Sequence, residues 1–416
     1  MKKIPVLCGI VALLLPTLHA ADSRIWTSRK GSTIEAELLG IDGDSATLLA
    51  ADSKQIKLKV EDLSLADRQF LVEYGNADPK ILTAGEVGEP EKQVRIDSKT
   101  FKKLDDKKMK FGTNDEAVYD LMESEHFLIA SAGRVRPQAI AETAERLWHG
   151  MAFQHMNFRR DWGDKRMLIL LSEDRDAYKA LGQWYLDFLA STGNDEAVKQ
   201  LTELWDKVTS TGFNVSEEMA EEYGIFTKGQ QFNLLDPKKF KKAMQPFQIN
   251  TLSGALLEKQ FGGVSSFGAE GFFAILNGHK YYKEMSLAGK SETQMAGLTG
   301  TAEDDFTSKK GFADGTSWSK SLKAAVKKGK VKVELVPMFN WQMEHLNPER
   351  LVLIYSFACY MESTPQRLNS FAAMVRRIES SNQIPAAIEI ARLFGFDSVA
   401  ALEADWEQFI KDGDFN

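Results

Sequence analysis

Residues 125–131, EHFLIAS, and residues 166–171, RMLILL, decide the fold of the larger part of this chain. Each reads as a strand, and the second has no polar side chain after Arg166. A continuous apolar run of that length suits a strand buried on both faces. Between the two, residues 137–158 carry Ile140, Ala144, Leu147 and Met151 at helical spacing. After the second, Ser172, Glu173 and Asp174 open a helix containing Tyr178, Leu181, Tyr185 and Phe188. Strand, helix, strand, helix in this order predicts the edge of a parallel or mixed sheet.

Toward the C-terminus, residues 195–208 read as a helix and residues 271–277, GFFAILN, as a third strand. Helical hairpins are predicted over 351–362, 365–379, 385–394 and 398–411, with Gly395 and the capping pair Asp397-Ser398 between the last two. Residues 118–416 are therefore expected to form one mostly helical α+β domain. Toward the N-terminus, residues 76–117 read as a linker. Pro79, Gly85, Gly88 and Pro90 interrupt any periodicity, and the run 99–110 is dense in charge.

Residues 21–75 have a different rhythm. Ile34, Ala36 and Leu38 alternate with Thr33, Glu35 and Glu37; Ile56, Leu58 and Val60 alternate with Gln55, Lys57 and Lys59. This is the period of half-buried strands. Asp42-Gly43-Asp44 is a hairpin turn, and Ser64-Leu65-Ala66-Asp67 is a capping box that opens a short helix with Phe70 and Leu71 inside. Four short strands and a terminal helix predict a small SH3-like barrel. Residues 1–20 form a leader: Lys2 and Lys3 precede the apolar run 4–16, with Ala20 at a cleavage position. The run is shorter than the roughly 20 residues a membrane span needs. The mature chain is expected to be exported, periplasmic or extracellular, with no integral membrane segment.

Composition narrows the function. The 416 residues carry a formal charge of −7, which excludes the broad basic surface of a non-specific nucleic-acid binder. Two cysteines give no disulfide framework, and after leader removal Cys359 stands alone in an apolar run, as a small hydrophobe. There is no HExxH zinc motif and no G-x-S-x-G elbow. Gly289-Lys290-Ser291 ends like a P-loop, but Glu284 stands where its first glycine is required. His149 and His155 are six apart, the wrong spacing to share one metal on a helix. His126 and His345 each follow a glutamate with nothing nearby in sequence to complete a ligand set, and His279 precedes Lys280-Tyr281-Tyr282 in what reads as a turn or edge strand. No cofactor and no metal are expected.

Two resemblances follow from particular residues. Arg24, Trp26, Thr27, Ser28, Gly31 and Ala36, followed by the lysine-flanked strand and by Asp62, Leu63, Ser64, Asp67 and Phe70, resemble the first Sla homology domain. That resemblance implies an SH3-like fold that reads a short extended peptide, with Trp26 either stacking on the peptide or plugging the barrel. In the larger part, the order of elements, the segment Lys310-Gly311-Phe312-Ala313-Asp314 and the closing run Leu402-Glu403-Ala404-Asp405-Trp406-Glu407-Gln408-Phe409-Ile410 resemble secreted gluzincin-type metallopeptidases. In that class an HExxH helix and a downstream E-G-L-A segment hold zinc. The resemblance puts the zinc helix at 291–295, so that Ser291 and Met295 replace the histidines, Lys310 replaces the third ligand, and only the base Glu292 is kept. Such a set is a poor zinc site. The expected function is an exported, non-catalytic binding or scaffold protein with a pseudo-peptidase domain, its partner a protein or extended peptide. Two alternatives stand beside it: an active hydrolase pairing Glu292 with Glu303, Asp304 or Asp305, and an envelope structural protein.

Overall fold

A computed structural model describes residues 23–28, 32–75, 77, 81, 96–113, 115–154, 162–206, 210–233, 244–261, 270–293, 311–413 and 415. The expected leader lies outside these residues, as do His155, Met295, Glu303, Asp304, Asp305 and Lys310. The chain divides into two compact units, Met1–Ala84 and Gly85–Asn416.

The first unit is an antiparallel sheet of β1 (Arg24–Thr27), β2 (Thr33–Asp42), β3 (Ser45–Ala50) and β4 (Gln55–Lys59) in sequential order, followed by helix α1 (Leu65–Tyr74). Among the described residues β1 and β4 do not pair, so the sheet is not closed through its strands. The end of β1 meets the segment before α1 instead: Ser28 bridges Leu63, and Ser64 N donates to Thr27 O at 2.8 Å. The capping box forms as expected, with Asp67 N donating to Ser64 Oγ. Trp26, Ala36, Ala46, Leu48, Val60, Leu63 and Leu71 make the core.

The second unit is built on a six-stranded mixed sheet. Its strands are β5 (Lys102–Lys110), β6 (Val118–Glu123), β7 (Phe127–Ala132), β8 (Met167–Ser172), β9 (Ser210–Asn214) and β10 (Lys228–Asn233), in the order β5-β6-β7-β8-β10-β9. β7, β8 and β10 are parallel, and the remaining pairings are antiparallel. β7 and β8 are the strands expected from residues 125–131 and 166–171, and the crossover between them contains α2 (Pro137–Gln154). Every residue of β8 is buried, as its apolar run from Met167 to Leu171 requires. On one face α3 (Arg175–Ser191), α4 (Asp195–Leu204) and α5 (Glu217–Tyr223) cover a core that includes Leu168, Leu170, Tyr178, Leu181 and Phe213. On the other lie α2 and α6 (Pro246–Phe261).

Beyond the sheet come α7 (Phe272–Ala288), α8 (Trp318–Lys327), α9 (Leu335–Phe339), α10 (Pro348–Met361), α11 (Pro365–Ser381), α12 (Ala387–Leu393) and α13 (Val399–Asp412). The four C-terminal helices match the hairpins read from sequence to within a few residues. α7 packs between α6 and α10, and every residue of α10 from Leu351 to Met361 is buried. No helix among the described residues is long and apolar enough to cross a membrane.

Three expectations are corrected. Residues 272–277 are helix, not strand: after Gly271 as N-cap they open α7, which is buried nearly all round and so lacks the polar face that marks a surface helix. The third parallel strand is β10, a polar sequence. The stretch 102–110, expected in the linker, is β5, an edge strand whose lysines face outward while Met109 enters the core. Lysines on an edge strand discourage pairing with other chains.

Candidate functional site

The residues of the Sla-homology-like pattern converge on one another. Trp26 is 1% exposed, and its indole Nε1 donates to Ala36 O at 3.0 Å. Phe70 packs edge-on against it at 5.6 Å, and the Arg24 guanidinium lies over both rings, 4.6 and 4.0 Å from their centroids. Arg24 also pairs with Asp67 at 2.9 Å, whose other oxygen accepts from Thr27 N and Ser64 Oγ. The arginine, tryptophan, aspartate and phenylalanine of the pattern thus clamp α1 onto β1. Trp26 is the plug of this core and offers no open ring face to a peptide.

In the second unit Ser291 and Glu292, the two described residues of the expected zinc helix, are not on a helix. Gly289, in the left-handed conformation, ends α7, and Ser291–293 run on without helical structure. The reason is Glu284, in the last turns of α7. Its Oε1 accepts Glu292 N at 2.8 Å and Thr293 N at 3.0 Å; its Oε2 accepts Asn250 Nδ2 of α6 at 2.9 Å and Ser291 Oγ at 3.2 Å. Burial pushes this carboxyl up, against the pull of those donors. The Glu292 side chain pairs with Lys290 at the surface. Ser291 N donates to Asp314 O at 2.8 Å. The glycine that follows, Gly315, is held at positive φ close against Met285 Sδ, where a Cβ would not fit.

One turn earlier on α7 is a second buried centre. His279 Nδ1 lies 3.0 Å from Glu362 Oε1, and Lys283 Nζ lies 3.3 Å from Glu362 Oε2. His279 and Glu362 side chains are 0% and 1% exposed. Burial pushes the His279 imidazole and the Lys283 ammonium down. Burial would raise Glu362, but the Lys283 charge and the His279 contact hold it below the ordinary carboxylate value. His279 is therefore a mid-helix partner of Glu362, not a turn residue without one. Nearby Cys359 is buried, and burial pushes its thiol well up, as for an inert small hydrophobe. The closing run is structural too: Leu402, Trp406 and Ile410 are buried, Trp406 Nε1 donates to Ser356 Oγ at 3.2 Å, and Glu403 accepts Leu335 N at 2.6 Å at the start of α9.

A third grouping was missed from sequence because its members are distant in the chain. His126 precedes β7; Glu145, Trp148 and His149 share a face of α2 at i, i+3 and i+4. Glu145 accepts His126 N at 2.9 Å, and His126 Nδ1 lies 2.7 Å from its other oxygen. Trp148 stacks on the His126 ring at 3.5 Å. On the outer side, ligand atoms of Glu125, His126 and His149 all lie within 4.8 Å of one another. Buried Trp162 packs edge-on against His126 and Phe226, and Lys259 Nζ lies 3.5 Å from the centre of the Phe226 ring, beside a cavity lined by Met167, Phe226, Gln230 and Glu258. Compared with protein-family models, with curated proteins and with solved structures, the chain finds no match.

Proposed function

We propose that this chain is an exported, non-catalytic binding or scaffold protein. Its first unit is a module of the Sla-homology type with an SH3-like fold. Its second is a pseudo-peptidase of gluzincin type, whose partner is a protein or an extended peptide. The observation that carries the non-catalytic reading is the saturation of the buried charges on α7. Glu284 receives four donors from α6 and from the 291–293 segment, and Glu362 receives His279 and Lys283. A general base must reach a substrate proton, within about 3 Å or through one water. These carboxylates instead spend their acceptor capacity on holding helices together. Glu292, the one group of the peptidase pattern that is kept, lies in a surface pair with Lys290. Ser291 supplies only a hydroxyl, a weak zinc ligand.

Screening the purified chain against broad peptide and glycoside substrates, with and without added zinc, tests this reading. No turnover is expected under either condition. Turnover that Glu292→Gln abolishes would establish the hydrolase alternative, and any other specific turnover would equally overturn the non-catalytic reading. Export is tested separately by the N-terminus of the mature protein, expected near Ala21; an intact Met1 on most molecules would contradict it.

A further inference from the structure

We propose that Glu125, His126 and His149 bind a divalent transition-metal ion of the zinc type. None of the three is among the residues that the peptidase resemblance assigns to its zinc site.

Two imidazoles and one carboxylate are the donor set of an open, three-ligand zinc site, which leaves a fourth position for water or a ligand. Calcium and magnesium favour oxygen donors throughout, so the two histidines select against them. The spacing fits. His126 Nε2 lies 3.5 Å from Glu125 Oε1. Two ligands on one tetrahedral zinc, with bonds of about 2.0–2.2 Å, stand about 3.4 Å apart. His149 meets His126 ring-to-edge with centroids 5.9 Å apart, and its donor atom lies within 4.8 Å of the other two. A modest side-chain rotation brings the three onto one ion.

The second, independent observation is the support behind His126. Glu145, 3% exposed in its side chain, stands against Nδ1 at 2.7 Å and also takes the backbone N–H of His126. A carboxylate accepting the Nδ1 proton leaves the Nε2 lone pair, 3.5 Å from Glu125 Oε1, free to take a metal. This is the outer carboxylate that metal-bound histidines characteristically carry. The stacked Trp148 indole fixes the ring plane, with 9° between the two rings. Burial falls from His126, buried, through His149, half-buried, to Glu125, exposed. The ion therefore has an entry side on the side of Glu125.

The test is a cobalt titration of the full chain, purified without a histidine tag and stripped with chelator. The visible absorption of Co²⁺ should saturate at about one ion per chain, with the intense band of four-coordinate geometry, and Zn²⁺ should displace it. Glu125→Gln and His149→Gln should each weaken binding at least about tenfold, and Glu145→Gln about ten- to a hundredfold. Glu125 is exposed, so its variant should melt like the parent in the metal-free state, which keeps the test independent of folding. Absence of saturable binding would overturn the proposal. Binding undiminished in the Glu125→Gln, His149→Gln double variant would place the ion elsewhere and overturn it equally.

Discussion

Trp26 and His279 illustrate how single side chains carry this fold. The Trp26 ring is enclosed by Phe70 and Arg24, and its only polar atom is bonded to Ala36. Trp26→Ala should cost about 3–5 kcal/mol, enough to unfold the small first unit. Denaturant unfolding of residues 21–84, followed by circular dichroism, checks this; a cooperative transition of parental midpoint would show that the ring is dispensable. His279 predicts a pH response. Burial depresses its folded-state value below the ordinary 6.5. As pH falls through 6.5 the unfolded chain takes up a proton that the folded chain refuses, so stability falls with pH. Glu362 acts in the same direction further down: its folded value is depressed, and its contribution is lost as pH drops through that value. Lys283, also depressed, works at the alkaline end, where stability rises toward its ordinary 10.5. The His279 contribution to the denaturation midpoint of the second unit should therefore fall between pH 7 and 5.5, while Glu284, pushed up by burial, works in the opposite sense. His279→Gln should flatten that slope; an unchanged slope would remove His279 from the account.

At the scale of elements, what could be read from the sequence depended on how each element is buried. β8 was legible because five consecutive buried residues, Met167 to Leu171, are apolar, and α11 and α13 because their apolar residues recur on one face. The start of α7 was misread. Phe272–Leu276 is a short apolar run followed by Asn277-Gly278, which in isolation reads as strand and turn. In the molecule Gly278 lies inside the helix, where a Cβ would stand 2.7 Å from Ile354 O of α10. Its glycine serves close helix contact rather than a turn. Gly278→Ala should therefore destabilise the second unit despite the better helix propensity of alanine, by about 1–3 kcal/mol, the usual range for overpacking. Thermal unfolding checks it; a stabilised variant would mean that α7 and α10 can move apart without loss. β10 escaped because Gln230, Gln231 and Asn233 are buried amides, and no apolar pattern marks a strand of that composition. The grouping at Glu125, His126 and His149 escaped for another reason: it is assembled by the β7–α2 pairing, and spacing along the chain cannot express it. The leucine, tryptophan and isoleucine of the closing run were visible, and they proved to be core.

Across the whole molecule, two compact units divide the work of folding. The first closes around one tryptophan and one buried aspartate. The second joins a mixed sheet to a helical layer, and α7 crosses the middle of that layer carrying His279, Lys283 and Glu284 inward. A chain that buries several ionisable groups must pair them, because an unpaired buried charge is costly. The pairing found here uses residues from α6, α7 and the end of α10, so the charges hold together the elements that also form the core. The central claim is that this ionic centre is structural. The most direct measurement is the denaturant stability of the Glu362→Gln variant. Breaking a buried pair by neutralising one partner costs about 3–5 kcal/mol, and a loss of that size, confined to the transition of the second unit, is expected. A variant within about 0.5 kcal/mol of the parent, the range of an ordinary surface substitution, would contradict it.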